Sequence, residues 1–290
     1  MGCGEKAILS AKDRHSLPLC HESFMSVHAF DDKNFRSRYR RFVKIKSMKN
    51  LIKMIIKWLA TAKILSIPRR FVGRVIISAI SSKNGILFFV TDPAGTQAVN
   101  VIKQIRKEAE MQLSGLEAYQ ICVAVRKTEK IEGDIAEVGI YKGGSAKLIC
   151  ETAKKKSVHL FDTFEGLPDL CAMDSLERFH KGEFSVKFEN VKDYLKKYPN
   201  VYFYKGLFSS TSESVNNKTF SFIHLDVDLY ESTLSCLKFF YPRISKGGVI
   251  ISHDYPGSKG VKSAFDEFFI DKPEIIIELP GCDQCLIVKV

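Results

Sequence analysis

The stretch Glu137-Val-Gly-Ile-Tyr-Lys-Gly-Gly-Ser145 decides how this chain is read. An apolar run over 134–138 leads into it, and a helix-like run over 145–153 follows. Glycines between a strand and a helix let the backbone approach a ligand closely, and the first helical turn presents unpaired N–H groups. The acidic Glu137 argues against a phosphate at this loop. The spacing E-x-G-x-x-x-G also departs from the dinucleotide fingerprint G-x-G-x-x-G, which counts against a nicotinamide oxidoreductase. A cationic, adenosine-bearing ligand suits the loop better, and S-adenosylmethionine (SAM) is one.

Downstream of this loop, strand-like and helix-like runs alternate. Strands are expected over 134–138, 158–162, 201–204, 220–226, 249–252, 275–279 and 285–290, and helices over 145–154, 191–198, 232–241 and 260–269. Such alternation implies an α/β fold with a doubly wound, mostly parallel seven-stranded sheet. The ending differs. Pro280-Gly281 separates two strand-like runs, so a terminal hairpin with an antiparallel last strand is expected. Upstream, one long helix is expected over 105–127, with Met111, Leu113, Leu116, Tyr119, Ile121 and Val125 as its apolar positions.

The net charge of +11 is uneven. Residues 33–74 contain 14 Lys/Arg and no Asp/Glu, so the rest of the chain sums to −3. The expected organisation is a poorly ordered tail over 1–32, a basic and partly helical extension over 33–104, and a catalytic domain over 105–290. Within the extension, residues 48–65 read as a helix with Lys49, Lys53 and Lys57 recurring every four positions. Those lysines interrupt the apolar run, so no membrane span is expected. The helix could pack on the catalytic domain or a second subunit, lie on an anionic membrane surface, or bind an acidic partner. Basic charge with few interleaved aromatics does not point to nucleic acid. The eight cysteines form no disulfide framework, Cys282-x-x-Cys285 has no second pair to complete a zinc site, and the first 19 residues lack the apolar run of a signal peptide. A cytoplasmic protein is expected, with peripheral membrane contact as the alternative setting.

Three strand ends hold the residues for chemistry. The second strand ends at Asp162-Thr163, where an acid is placed to accept from ribose hydroxyls. The fourth ends at Asp226-Val-Asp228 and the fifth at His253-Asp254. Ligands in such sheets sit outside the carboxyl ends of the strands, so Asp226, His253 and Asp254 should converge there. Two carboxylates and an imidazole suit a divalent cation: Mg²⁺ or Mn²⁺ by the oxygens, with the imidazole leaving room for softer ions. Asp226 or His253 could also take a proton. Asp228 could instead cap the helix that begins near Glu231. The polar, mixed run over 170–188 is long enough for a lid.

Together, the 137–145 loop, the Phe161–Pro168 run, Lys205-Gly-Leu-Phe208 with Thr211, the 226–233 run and His253-Asp-Tyr255 resemble the macrocin O-methyltransferase (TylF/MycF-like) family over residues 105–290. The resemblance implies a class I, Rossmann-like SAM methyltransferase fold and Mg²⁺-assisted methylation of a hydroxyl on a sugar or similar metabolite. The first loop also resembles that of catechol O-methyltransferase. By these likenesses Glu137, Gly139, Tyr141, Ser145, Asp162 and Thr163 would form the SAM site. Asp226, His253 and Asp254 would hold the metal. Two positions depart from the patterns: Leu229 stands where the catechol enzymes have a catalytic lysine, and His253 where the macrocin group commonly has an acid. A non-catalytic relative that binds a membrane or acidic partner through its basic segment is the alternative reading.

Overall fold

Alternating side chains along the central strands feed two different cores. The computed structural model describes residues 93–153 and 155–290. Among the described residues are seven strands: β1 (Asp134–Val138), β2 (Val158–Asp162), β3 (Val201–Lys205), β4 (Phe220–Leu225), β5 (Ile244–Ser252), β6 (Ile277–Glu278) and β7 (Cys285–Val288). On β1, Ile135 joins the core on one face of the sheet and Ala136 the core on the other. Leu160 and Phe161 on β2, Phe222 and Ile223 on β4, and Ile251 and Ile250 on β5 split the same way. This two-residue period is that of a strand covered on both faces. All six residues of β4 are buried.

Helices α1 (Pro93–Glu108), α2 (Gly115–Lys127) and α3 (Gly144–Ala153) pack over one face. On the other lie α4 (Phe208–Thr211), with the 3₁₀ turn Ser212–Val215, α5 (Tyr230–Phe240) and α6 (Lys259–Phe269). A further helix, Phe188–Leu195, precedes β3 and contributes Val191 and Leu195 to the first core. Aromatic rings dominate the second core: Phe161, Phe208, Phe220 and Phe240 meet mostly edge to face at centroid distances of 5.0–6.4 Å.

The strand order is β3-β2-β1-β4-β5-β7-β6. Strands β1 to β5 are parallel, and β7 runs antiparallel between β5 and β6. The doubly wound, mostly parallel sheet with a reversed last strand is therefore as the alternation implied. Cys285 lies buried on β7, and the Cys282 thiol donates to the Leu279 carbonyl oxygen at 3.3 Å within the hairpin. The basic helix expected over 48–65 and the tail over 1–32 lie outside the described residues, and the boundary expected at 104/105 falls inside α1.

The single helix expected over 105–127 is instead two helices. The chain leaves α1 after Glu108 and crosses the start of α3, where Met111 packs so closely that a Cβ on Gly144 would lie 2.9 Å from its own. The helix restarts at a capping box: the Ser114 hydroxyl accepts from the Glu117 backbone N–H at 3.3 Å, and Glu117 Oε2 accepts from the Ser114 N–H at 2.6 Å. The box satisfies two orphan donors at once and makes restarting cheaper than continuing. Ser114→Ala should cost about 1 kcal/mol of stability in urea unfolding, and Ser114→Gly only a few tenths; equal losses would show that the cap does not set this boundary.

Candidate active site

The order of the sheet reverses between β1 and β4, and ligands in open α/β sheets bind at such a switch point beyond the strands' carboxyl ends. A cavity of about 380 Å³ lies there, bounded by the β1 loop, the ends of β2, β4 and β5, and the segment over 110–113. That size falls within the roughly 300–1,000 Å³ of small-molecule sites.

The β1 loop is held in a strained shape by its own sequence. Gly139 (φ +84°), Tyr141 (φ +50°) and Gly143 (φ +80°) all lie in the left-handed region. Gly139 admits no side chain, because a Cβ there would stand 1.8 Å from the Asp226 carbonyl oxygen. Asp162 braces the turn. Its Oδ2 accepts from the N–H groups of Ile140 at 2.7 Å and Tyr141 at 2.9 Å, and its Oδ1 from Phe164 N–H at 2.7 Å. Oδ1, with one bond accepted, keeps further acceptor capacity, and Asp162 lines the cavity. The Thr163 hydroxyl donates to the Gly166 carbonyl and so builds the next turn. Gly139, Tyr141, Ser145, Asp162 and Thr163 all line the cavity.

Glu137, expected at the ligand, does not line it. It is fully buried one residue before the end of β1, in register with His224 on β4, and its Oε1 lies 2.9 Å from His224 Nδ1. Burial raises the Glu137 carboxyl above its ordinary range against the opposing pull of His224. The alternation of β1 turns this side chain into the core face that also takes Ile135.

Asp226, His253 and Asp254 do come together. One donor atom from each lies within 4.8 Å of the others. His253 Nδ1 is 3.2 Å from Asp226 Oδ1 and 3.1 Å from Asp254 Oδ2, while Nε2 lies 3.5 Å from Glu117 Oε1. Burial alone would lower the imidazole's pKa, but the charge and hydrogen bond of Asp226, with Asp254 and Glu117, hold it far above its ordinary value. Burial would likewise raise Glu117, and the hydrogen bond and charge of His253 override this and hold it at about 2. Asp254 is lowered in the same way, against its burial, by His253.

Asp228 (φ +60°) belongs with this cluster: burial, then Asp226 and Asp254, push its carboxyl up. It caps nothing. The N-cap position of α5 is Leu229, without a side-chain bond, and the first N–H, that of Tyr230, donates at 2.7 Å to Asp174 from the distant 163–187 connection.

That connection is fastened down at several points. Arg178 Nη2 donates to Asp254 Oδ1 at 2.7 Å. Leu167 bonds through its backbone to two residues of the returning chain: its N–H donates to Glu183 O and its carbonyl accepts from Gly182 N–H, each at 2.9 Å. Leu167 and Phe179 bury against Leu229, with Leu170 and Phe184 beside them. Leu229 is thus a floor for this segment, 1% exposed, which is why no lysine reaches the cavity from that position.

Glu117, Arg178 and Asp174 were not singled out from sequence. Only Glu117 had a local sign, the S-x-x-E of its capping box; the other two act across 76 and 56 residues of chain.

A family model described as Macrocin-O-methyltransferase (TylF) matches residues 111–285. The chain belongs to that family. A relative from Streptomyces olivaceus, 8-demethyl-8-(2,3-dimethoxy-alpha-L-rhamnosyl)-tetracenomycin-C 4'-O-methyltransferase, is 34% identical over 158 residues, 49% of this chain and 60% of the relative. Demethyldecarbamoylnovobiocin O-methyltransferase of Streptomyces niveus is 30% identical over 168 residues, 53% of this chain and 64% of the relative. The chain thus spans about three fifths of the length of these curated relatives. Among solved structures, the O-methyltransferase NovP superposes with a TM-score of 0.58 at 25% identity, over 66% of this chain and 88% of that one. The calicheamicin methyltransferase CalS11, at 16% identity and TM-score 0.53 over 69% of this chain and 95% of that one, shares the fold.

Because its folded pKa lies below the ordinary 4.5, Glu117 contributes stability that is fully present above that range and lost as pH falls through the folded value of about 2. The stability difference between the wild type and Glu117→Gln, measured by urea unfolding in EDTA, should be constant at neutral pH and shrink steadily between about 4.5 and about 2. A difference that does not change over that window would mean that the carboxylate is not held by His253.

Proposed function

We propose that this chain transfers a methyl group from SAM to a hydroxyl of a sugar on a larger metabolite, assisted by a divalent cation. The observation that supports it most is the meeting of Asp226, His253 and Asp254 within 4.8 Å, in the same cavity as the β1 loop. Family membership supports the reaction type. The acceptor class follows the printed activity of the relative that methylates a rhamnosyl-bearing compound at a 4'-oxygen.

The residues fit both groups by their chemistry. The β1 loop, with Gly139, Tyr141 and Ser145 along the cavity and the remaining acceptor capacity of Asp162 Oδ1, suits a nucleoside with ribose hydroxyls. Two carboxylates and an imidazole suit a divalent cation, Mg²⁺ or Mn²⁺ by the oxygens, with Mg²⁺ the ion the family resemblance implies. When bound, SAM supplies an electrophilic methyl on a sulfonium, and the cation supplies charge that lowers the pKa of the acceptor hydroxyl.

The protein's own part is to bind, orient and deprotonate. Asp226 sits at the switch point, partly exposed, and is the group we assign to take the hydroxyl proton as the oxygen lone pair forms the new C–O bond. His253 suits that task less well, because both ring nitrogens face carboxylates of the cluster. The 163–187 segment contributes Phe179 and Phe184 to the cavity wall, and its anchorage through Asp174 and Arg178 helps exclude water from the two reactants. Holding them in contact supplies much of the remaining acceleration. We place the protein in the reducing cytoplasm, a setting that suits its buried free thiols Cys122, Cys150 and Cys236.

The test is SAM with a panel of glycosides, read by mass spectrometry for an added methyl, alongside calorimetry with S-adenosylhomocysteine. Asp226→Ala should lower turnover at least ~100-fold, the usual loss for a general base, while leaving affinity for S-adenosylhomocysteine within a few-fold. Failure of the wild type to bind S-adenosylhomocysteine would end this reading, and equal loss of binding and turnover in Asp226→Ala would remove Asp226 from the catalytic role.

A further inference from the structure

Resting on the reading of this cavity as a cation-assisted methyl-transfer site, we infer that His253 is a nitrogen ligand positioned by Glu117, and that the centre prefers a first-row transition divalent over Mg²⁺. Where an acid would leave the site all oxygen, this chain places an imidazole between two aspartates.

The spacing suits coordination. An octahedral ion with donors at about 2.1–2.2 Å has neighbouring donors about 3.0–3.1 Å apart. Nδ1 of His253 is already 3.1 Å from Asp254 Oδ2 and 3.2 Å from Asp226 Oδ1. With its proton displaced, Nδ1 is a donor at ligand spacing from a carboxylate oxygen on either side, and all three donor atoms lie within 4.8 Å of one another.

The other ring nitrogen determines which way the imidazole presents itself. Nε2 faces Glu117 Oε1 at 3.5 Å. Glu117 cannot swing inward to become a ligand itself, because Ser114 N–H holds Oε2 at 2.6 Å and Asp283 N–H holds Oε1 at 3.1 Å. A carboxylate fixed behind Nε2 would take that nitrogen's proton in a hydrogen bond and leave Nδ1 to a metal; metal-binding histidines commonly have such a partner. On the far side, Arg178 binds the second oxygen of Asp254 at 2.7 Å and so orients Oδ2 toward the same point. Glu117 and Arg178 are positioning residues, from helix α2 and the 163–187 segment.

Donor type then determines which ion is preferred. Mg²⁺ favours oxygen and water, whereas an imidazole nitrogen raises affinity for Fe²⁺, Co²⁺ and Zn²⁺ along the Irving–Williams order. An all-oxygen site also binds Co²⁺ more tightly than Mg²⁺, so the nitrogen is tested by the change in that ratio.

The experiment titrates the metal-stripped protein with Co²⁺ and with Mg²⁺ by calorimetry, and follows the Co²⁺ visible absorption. It uses the wild type, His253→Asp and Glu117→Gln, with far-UV circular dichroism and S-adenosylhomocysteine binding to confirm folding. The Co²⁺-to-Mg²⁺ affinity ratio should fall at least tenfold in His253→Asp, and the Co²⁺ band should shift as nitrogen is replaced by oxygen. Glu117→Gln keeps the helix cap, since Gln serves in a capping box, and should weaken Co²⁺ about 10- to 100-fold, as loss of such outer partners does. An unchanged ratio and spectrum in a folded His253→Asp would overturn the inference. So would a wild type that binds S-adenosylhomocysteine but no Co²⁺; methyl transfer persisting in EDTA would then leave the reaction assignment standing without the metal.

Discussion

The backbone of Gly139 lies against the backbone of Asp226 so closely that no side chain fits between them. This contact joins the end of β1 to the end of β4 at the point where the sheet reverses its order. Two further bonds secure it: Asp226 N–H donates to the Val138 carbonyl, and Gly139 N–H to the Phe161 carbonyl, each at 2.9 Å. The β1 loop and the first aspartate of the cluster therefore share one rigid joint. The proposed methyl transfer needs donor and acceptor placed to within about 0.5 Å, and a joint made of backbone gives that precision more readily than one made of long side chains.

Around that joint the electrostatics are unbalanced by design of the sequence. Asp226, Asp228, Asp254 and Glu117 gather about one imidazole, with Arg178 reaching in from outside. Carboxylates brought this close repel one another unless a cation lies among them. The raised pKa of His253 and the opposite shifts of Asp228 and Asp254 are expressions of that one field. A bound divalent ion and a charged imidazole answer the same need, so the two compete for the same carboxylates.

The 163–187 connection is built differently from a loose surface loop. It has a small apolar core of its own with Leu229 as the floor, it supplies the N-terminal partner of α5 through Asp174, and it touches the cluster through Arg178. Movement of this segment would therefore be felt at Asp254 and at the start of α5 together. That coupling gives the wall of the cavity a direct physical connection to the residues proposed for chemistry.

Much of this was legible in residue order. Strand-like runs alternating with helix-like ones, the glycines of the 137–145 loop and the acids at strand ends are local signals, and they were enough for the sheet, its reversed last strand and the convergence of Asp226, His253 and Asp254. Local signals could not reveal that Glu137 pairs with His224, because the two stand opposite each other only once β1 and β4 lie side by side. Of the break in the 105–127 helix they held only the S-x-x-E of Ser114 and Glu117, and they could not reveal the packing of Met111 on Gly144 that goes with it. Nor could they bring Asp174 to Tyr230 or Arg178 to Asp254. The sequence by itself determined the sheet, the loop and the acids and imidazole at the strand tips, since each depends on neighbours in the chain. Only the tertiary structure decided which groups surround His253, since those partners come from segments that meet only once the chain has folded.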